Sequence, residues 1–337
     1  MISNLLIPSL AIATFVFSAL ITWLLIGFLR RRGVIDIPNE RSSHAIPTPR
    51  GGGLAIIISF LLASLALLFF RPIESFPGFF FWSGLILVAI TSLLDDHLNL
   101  PVYIRFGLHL AAATMVSLET GGFGNFPLPE PYNFELGFFN YPLTIFWILA
   151  VLNIYNFLDG IDGYAAVQGL VASIGLALLY PAGVSFDLAI ILAAAIAGFL
   201  LFNWHPARIF MGDIGSTSLG FIFATLPFYI DQVPVNLAIF SSGIFLWFFL
   251  ADGAFTIVRR LLNKEKIWVA HRSHIYQRLV IQGHSHAKVT SSIMVTGLVV
   301  SLFHLYLYHY QLPNLIISLF LAITFFILIV FIEKFAR

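Results

Sequence analysis

Asn153-Ile-Tyr-Asn-Phe-Leu-Asp-Gly-Ile-Asp-Gly163 lies between two apolar runs, 143–157 and 164–182. Two Asn, two Asp and two Gly therefore sit where a membrane protein can least afford polar groups. Asp159 and Asp162 are three residues apart, so on a helical turn they share a face. Gly160 carries no side chain, which lets backbone or ligand approach closely. A polar loop that merely ends a helix would account for one Asp-Gly pair. Two such pairs preceded by two Asn call for more, because carboxylates in or near lipid are expensive and mark function by default.

The rest of the chain fits that setting. Of 337 residues, 59% are hydrophobic and only 10% are charged, and the mean hydropathy is +0.95. Such values describe a polytopic membrane protein. There is no cysteine, which excludes disulfides, thiolate metal sites and Cys nucleophiles. A net charge of +1 gives no global field that would draw nucleic acid.

Apolar stretches run at about 5–29, 52–70, 78–94, 104–118, 143–157, 164–182, 188–202, 214–230, 235–258, 289–310 and 312–332. Most approach the ~20 residues that a crossing needs. They predict an all-α, polytopic fold of about eleven transmembrane helices in a single integral domain, 1–337. The first run is too long for a signal peptide and is followed by Arg30-Arg31-Arg32, a stop-transfer flank.

Placing the 30–51 loop in the cytoplasm and alternating gives cytoplasmic segments 30–51, 95–103, 158–163, 203–213, 259–288 and 333–337, with the N-terminus outside. These segments and their helix ends hold every Lys and Arg except Arg71, 16 of the 17, as the positive-inside rule demands. The opposite face receives Arg71 and the loop 119–142, with Glu119, Glu130 and Glu135. The same alternation puts every polar motif on the cytoplasmic face.

Asp95-Asp96 ends the third span. Adjacent carboxylates repel unless a cation sits near them, and Arg105 opens the next span. Phe210-Met211-Gly212-Asp213-Ile214-Gly215-Ser216 opens the eighth. There Asp213 or Ser216 is placed to cap a helix, and free N–H groups at a helix start favour phosphate. Five acids on one face, Asp95, Asp96, Asp159, Asp162 and Asp213, suit Mg²⁺, with Mn²⁺ also admissible, because substrate phosphates and water complete such a shell.

The 259–288 loop is basic, with Arg259, Arg260, Lys264, Lys266, Arg272 and Arg278, and Lys288 at its end. It also holds His271, His274, His284 and His286. An ordinary positive-inside loop binding anionic headgroups has this composition too. The first loop repeats the theme in Arg41-Ser42-Ser43-His44 and Pro49-Arg50-Gly51-Gly52-Gly53. His304 and His309, near the outer end of the tenth span, read as structural.

In order along the chain, Pro-Thr-Pro-Arg-Gly-Gly-Gly (47–53), Asp-Asp (95–96), Asn-x-x-Asn-Phe-x-Asp-Gly-x-Asp-Gly (153–163), Phe-Asn-x-x-Pro-Ala-x-x-Phe-Met-Gly-Asp-x-Gly-Ser (202–216) and a His-containing basic loop resemble the polyprenyl-phosphate N-acetylhexosamine-1-phosphate transferases, of glycosyltransferase 4 type. The resemblance implies a bacterial inner-membrane enzyme with a cytoplasmic active site. Such an enzyme moves a sugar 1-phosphate from a UDP-sugar to undecaprenyl phosphate, releases UMP and requires Mg²⁺. It implies Asp213 as metal ligand and Asp95 and Asp96 as the catalytic pair. Asn156, Asp159, Gly160 and Asp162 would line the nucleoside pocket with Asn153 beside them, and Phe210 would stack on uracil. The last loop would contact sugar and diphosphate through His271, Arg272 and Arg278, with His274 catalytic, while Arg105, by its position, is placed to pair with Asp95-Asp96 or with a phosphate. The implied partners are the UDP-sugar, undecaprenyl phosphate and membrane lipid, not nucleic acid, and a homodimer is admitted.

The peptidoglycan branch carries three consecutive His in the last cytoplasmic loop. Here the loop reads His271-Arg-Ser-His-Ile-Tyr-Gln-Arg278, with Tyr276 where another His is expected. The sequence looks closer to O-antigen-initiating members, whose sugars include N-acetylglucosamine and 6-deoxy relatives. The alternative from another class is an ion-coupled transporter with an acidic ion site. It predicts polar groups at the midplane, whereas these motifs cluster at one face. Asp252, near the cytoplasmic end of the ninth span, is the exception.

Overall fold

The computed structural model describes residues 2–38, 46–266, 271–311 and 316–335. Arg41-Ser42-Ser43-His44 falls outside the described residues. The helices are α1 (Ile2–Arg32), α2 (Gly53–Leu67), α3 (Phe79–Leu98), α4 (Val102–Thr120), α5 (Asn140–Phe157), α6 (Tyr164–Leu179), α7 (Gly183–Asn203), α8 (Asp213–Thr225), α9 (Val235–Phe245), α10 (Trp247–Leu262), α11 (Ile275–Ile281), α12 (His286–His309) and α13 (Ile316–Phe335). The strands are a short antiparallel pair, β1 (Ile35–Asp36) and β2 (Thr48–Pro49).

The chain is all-α in substance, but eleven full crossings are not established. Among the described residues, five helices are long and apolar enough to cross a membrane, six if the bent pair α9–α10 counts as one span. The stretch expected as one span over 235–258 breaks after Phe245, and its two helices meet at 77°. Hydropathy carries no signal for that bend, since both halves are apolar. The expected 214–230 span is the 13-residue α8 followed by a 3₁₀ turn, Leu226–Tyr229.

The fold is organised around α8. Every residue from Ile214 to Thr225 is buried, the hydroxyl residues Ser216, Thr217, Ser218 and Thr225 included. It lies against α2, α3 and α5, while α7 lies against α1, α2 and α6. Close approach is made by small residues. A Cβ at Gly53 would lie 2.3 Å from the Gly215 Cα, so α2 and α8 touch backbone to backbone.

One end of the bundle is tied by internal charges. Glu119 accepts from the N–H groups of Phe80 (2.9 Å) and Phe81 (3.3 Å) at the start of α3, and from the Tyr229 hydroxyl (2.6 Å). Arg71 Nε donates to buried Asp187 at 2.7 Å. A carboxylate at a helix N-terminus satisfies donors that have no partner inside the helix. The His304 ring bridges Ser318 (3.0 Å) and Ser241 (2.8 Å), and His309 Nε2 meets the Leu178 carbonyl at 2.8 Å. Among the described residues, the motifs 47–53, 95–96, 153–163 and 202–216 meet elsewhere, around the start of α8.

Two glycine replacements separate packing from propensity. Gly107 has nothing within 4 Å of an added Cβ, so Gly107→Ala should raise stability by up to about 1 kcal/mol through helix propensity. Gly53→Ala should instead lower it by about 1–3 kcal/mol, because two backbones must part. Thermal denaturation of the two variants in detergent measures this, and equal shifts would contradict the α2–α8 contact.

Candidate active site

Three chain segments are stitched together at the start of α8. Phe210 N–H donates to the Pro49 carbonyl (2.8 Å), and Gly51 and Gly52 N–H return to the Phe210 carbonyl (3.1 and 2.8 Å). Gly53 N–H reaches the Met211 carbonyl at 2.8 Å. The Pro-Arg-Gly-Gly-Gly segment is thus a backbone clamp on Phe210-Met211, and it delivers Arg50 to the carboxylates.

Arg50 Nη2 lies 3.0 Å from Asp96 Oδ1 and 2.5 Å from Asp213 Oδ1. Burial opposes the Arg50 charge, but Asp213 and Asp96 outweigh it and hold the guanidinium above its usual pKa. Asp96 also accepts from the N–H groups of Asp213 and Ile214, both at 3.2 Å. The expectation that Asp213 or Ser216 caps α8 is therefore corrected. Asp213 is the first helical residue and the capping carboxylate comes from α3. Those two N–H groups, expected to await phosphate, already hold an anion of the protein itself, which satisfies the same dipole.

The two adjacent acids diverge. Asp95 pairs with Arg105 and accepts from the Leu100 N–H at 2.8 Å. It closes the end of α3, where Asn99 adopts a left-handed conformation.

Asn156 lies beside the cluster, with its amide donating to Ser216 Oγ at 3.0 Å. Asn153 bonds back to the Leu149 carbonyl of its own helix at 2.7 Å. Asp159 is half-buried. Its enclosure raises the carboxyl to about 7, with Arg50 pulling it down and Asp213 and Asp96 pushing it up. Asp162 turns elsewhere. Its Oδ2 meets His205 Nδ1 at 2.6 Å and accepts from the Ala207 N–H at 3.2 Å, and its Oδ1 lies 3.3 Å from His286 Nδ1. Burial disfavours its charge, yet the bonds from His286, His205 and Ala207 outweigh that and keep its pKa low.

The last basic loop folds over the Asp-Gly motif. Tyr276 stacks on Tyr164, with centroids 4.6 Å apart. Its Oη lies 2.1 Å from where a Gly160 Cβ would be, so only glycine admits the loop there. His274 is buried. Its Nδ1 is 3.4 Å from Asp252 Oδ1, which also accepts from the Ile275 N–H (3.0 Å) and Thr256 Oγ1 (3.0 Å). His271 Nδ1 meets Ser273 Oγ at 2.8 Å, and burial together with neighbouring His274 lowers its pKa to about 4. Arg272 and Arg278 are half-buried on the same loop.

The cluster thus joins Asp95, Asp96, Arg105, Asn156, Asp159, Phe210 and Asp213, and brings Gly160 against the histidine loop. Sequence reasoning did not rank Arg50, Asp252 or His205 as site residues. Arg50 was visible inside the 47–53 motif. Asp252 stood out as a lone acid in an apolar span. His205 carried no signal of its own.

Comparison with known proteins places this geometry. The family model "Glycosyl transferase family 4" matches residues 79–231. The chain is 33% identical over 312 residues, 90% of its length and 84% of the relative's, to the "Probable undecaprenyl-phosphate N-acetylglucosaminyl 1-phosphate transferase" of Bacillus subtilis (strain 168). It is 30% identical over 319 residues, 81% of its length and 76% of the relative's, to the "Decaprenyl-phosphate N-acetylglucosaminephosphotransferase" of Mycobacterium tuberculosis (strain CDC 1551 / Oshkosh). It is 28% identical over 315 residues, 88% of its length and 95% of the relative's, to the "Phospho-N-acetylmuramoyl-pentapeptide-transferase" of Halalkalibacterium halodurans. With its long apolar helices, the chain is a multi-pass membrane protein. It belongs to glycosyl transferase family 4, among the polyprenyl-phosphate N-acetylhexosamine-1-phosphate transferases.

Proposed function

We propose that this chain transfers an N-acetylhexosamine 1-phosphate, or a 6-deoxy derivative, from a UDP-sugar to undecaprenyl phosphate. The transfer would be the first membrane step of a cell-surface polysaccharide of the O-antigen type, at the cytoplasmic face of the bacterial inner membrane. An oxygen of the lipid phosphate attacks the sugar-bearing phosphorus of the donor, the bond to UMP breaks, and UMP leaves. Transfer between two anions depends on positioning and charge neutralisation more than on covalent groups. The observation that carries this reading is Arg50 bridging Asp96 and Asp213 at the start of α8, with Asn156 and Asp159 beside it.

The residues present fit Mg²⁺ or Mn²⁺. The donors are carboxylate oxygens, and a positive group, the Arg50 guanidinium, already lies between Asp96 and Asp213, which supports this reading. Asp213 would hold the ion, which when bound would neutralise the donor diphosphate. Arg50 and Arg105 add fixed cations for the phosphates, Asn156, Asp159 and Gly160 line the nucleoside side, and Phe210 offers its ring to uracil. Of the two adjacent acids, Asp96 is the one that shares the site with Arg50 and Asp213 while Asp95 is paired with Arg105, so Asp96 is the one placed to receive a proton from the acceptor phosphate.

UMP release with undecaprenyl phosphate and a panel of UDP-sugars tests the reaction. Turnover is expected with an N-acetylhexosamine or 6-deoxy N-acetyl donor and not with the pentapeptide-bearing donor. No UMP from any donor would overturn the proposal. Asp213→Asn should cut turnover by ~10²-fold or more, the scale of losing one preorganised electrostatic group, and near-normal activity of that variant at limiting Mg²⁺ would refute the metal assignment.

Proton linkage gives a further expectation. Positive charge arriving at Asp213 favours ionised Asp159, whose carboxyl otherwise titrates at about 7. Ion binding then expels a proton, so affinity rises with pH through that value and flattens above it. Mn²⁺ titration followed by EPR should show tighter binding at about pH 8 than at about pH 6, with the difference reduced in Asp159→Asn. Equal affinities would contradict the linkage. For orientation, Ser75→Cys in intact cells should react with an impermeant maleimide and Glu265→Cys should not. The reverse pattern would place the site outside.

A further inference from the structure

We infer that Asp162, His205 and His286 form a binding site for a transition-metal ion of the Zn²⁺ class, separate from the oxygen-lined cluster at Asp213. The three residues come from three segments: the 158–163 loop, the turn after α7, and the first turn of α12. One ligand atom of each, a carboxylate oxygen and two imidazole nitrogens, lies within 4.8 Å of the others. Both imidazoles present Nδ1 to the same carboxylate, at 2.6 Å from His205 and 3.3 Å from His286.

The spacing suits a small ion. Donors held at ~2.0–2.1 Å in tetrahedral geometry stand roughly 3.3–3.4 Å from one another. The two imidazoles meet different oxygens of the carboxylate, and the distance from His286 to Oδ1 already has that value while His205 meets Oδ2. The His205 contact must open by roughly 0.7 Å to reach it, and His205, exposed on the turn after α7, is free of a helix that would resist. On binding, the proton that the His205 imidazole shares with Asp162 moves off Nδ1, and both rings coordinate as neutral ligands.

The donor chemistry sets the ion. Two imidazoles and one carboxylate select Zn²⁺, Co²⁺ or Ni²⁺ over Mg²⁺, which prefers oxygen. Three protein ligands with a solvent-facing side leave room for water as the fourth. Supporting contacts are already in place. The Ala207 N–H donates to Asp162 Oδ2 at 3.2 Å, and Thr290 Oγ1 on α12 donates to the Asp162 carbonyl at 3.0 Å. Asp162 is two residues from Gly160, so an ion here would staple the turn after α7 and α12 to the loop that carries Asp159.

The test is Co²⁺ substitution in the full chain, purified in detergent on a tag without histidine and stripped with chelator. The wild type should take up stoichiometric Co²⁺, with the intense visible bands of a tetrahedral N/O site, and Zn²⁺ but not excess Mg²⁺ should bleach them. His205→Ala and His286→Ala should each lose the bands, and His284→Ala should keep them. His205 is exposed, so its variant tests the site even if His286→Ala fails to fold. Absence of stoichiometric tetrahedral Co²⁺ in the wild type, or its survival in His205→Ala, would overturn the inference and leave an ordinary hydrogen-bonded His–Asp–His cluster. Either result stands apart from UMP release, so it does not decide the transfer reaction.

Discussion

One cation shared by two carboxylates sets this end of the molecule. Arg50 lies between Asp96 and Asp213, and Asp96 at the same time caps the backbone of α8. Two like charges at the start of a buried helix repel unless something positive stands between them. The backbone clamp of Gly51, Gly52 and Gly53 on Phe210 and Met211 exists to deliver that charge. It in turn requires α2 and α8 to touch at Gly53 and Gly215. Core packing and site electrostatics are thus one constraint, met by the same four-residue stretch.

The arrangement also explains how a reaction between anions can proceed beside lipid. Neither the nucleotide sugar nor a lipid phosphate approaches a bare pair of carboxylates readily. A site already balanced by Arg50, with Arg105 fixed by Asp95 nearby, presents cations whose positions are set before substrate arrives. Preorganised charge of this kind is worth more than the same charge left to reorganise in water. The histidine loop is held from behind by Asp252, and Tyr276 rests against Gly160. Its place over the Asp-Gly motif is therefore fixed by buried contacts.

Much of this was legible in the chain. The one-sided distribution of Lys and Arg predicted that all polar motifs share a face, and the contacts Arg50–Asp213, Asp162–His286 and Tyr276–Gly160 bring those motifs together. Window hydropathy failed where geometry departs from a straight rod. It merged α9 and α10, whose bend lies inside an unbroken apolar run, and it counted the 13-residue α8 as a full span. Side-chain direction was the other blind spot. Asp159 and Asp162 look equivalent in the motif, yet one feels the charges of Arg50, Asp213 and Asp96 and the other is taken by two imidazoles. The contact between His274 Nδ1 and Asp252 Oδ1 was likewise invisible in the spacing of the loop. Spacing along a sequence cannot report which way a loop residue points.

Arg50 and Asp213 act as one unit in this site. A double-mutant cycle on UMP release measures this, with Arg50→Gln, Asp213→Asn and the pair compared at saturating Mg²⁺. Residues that share one interaction give non-additive losses, so the double variant should be little worse than Asp213→Asn alone. Losses that simply multiply would mean that the two residues act independently, and would contradict the shared-cation site.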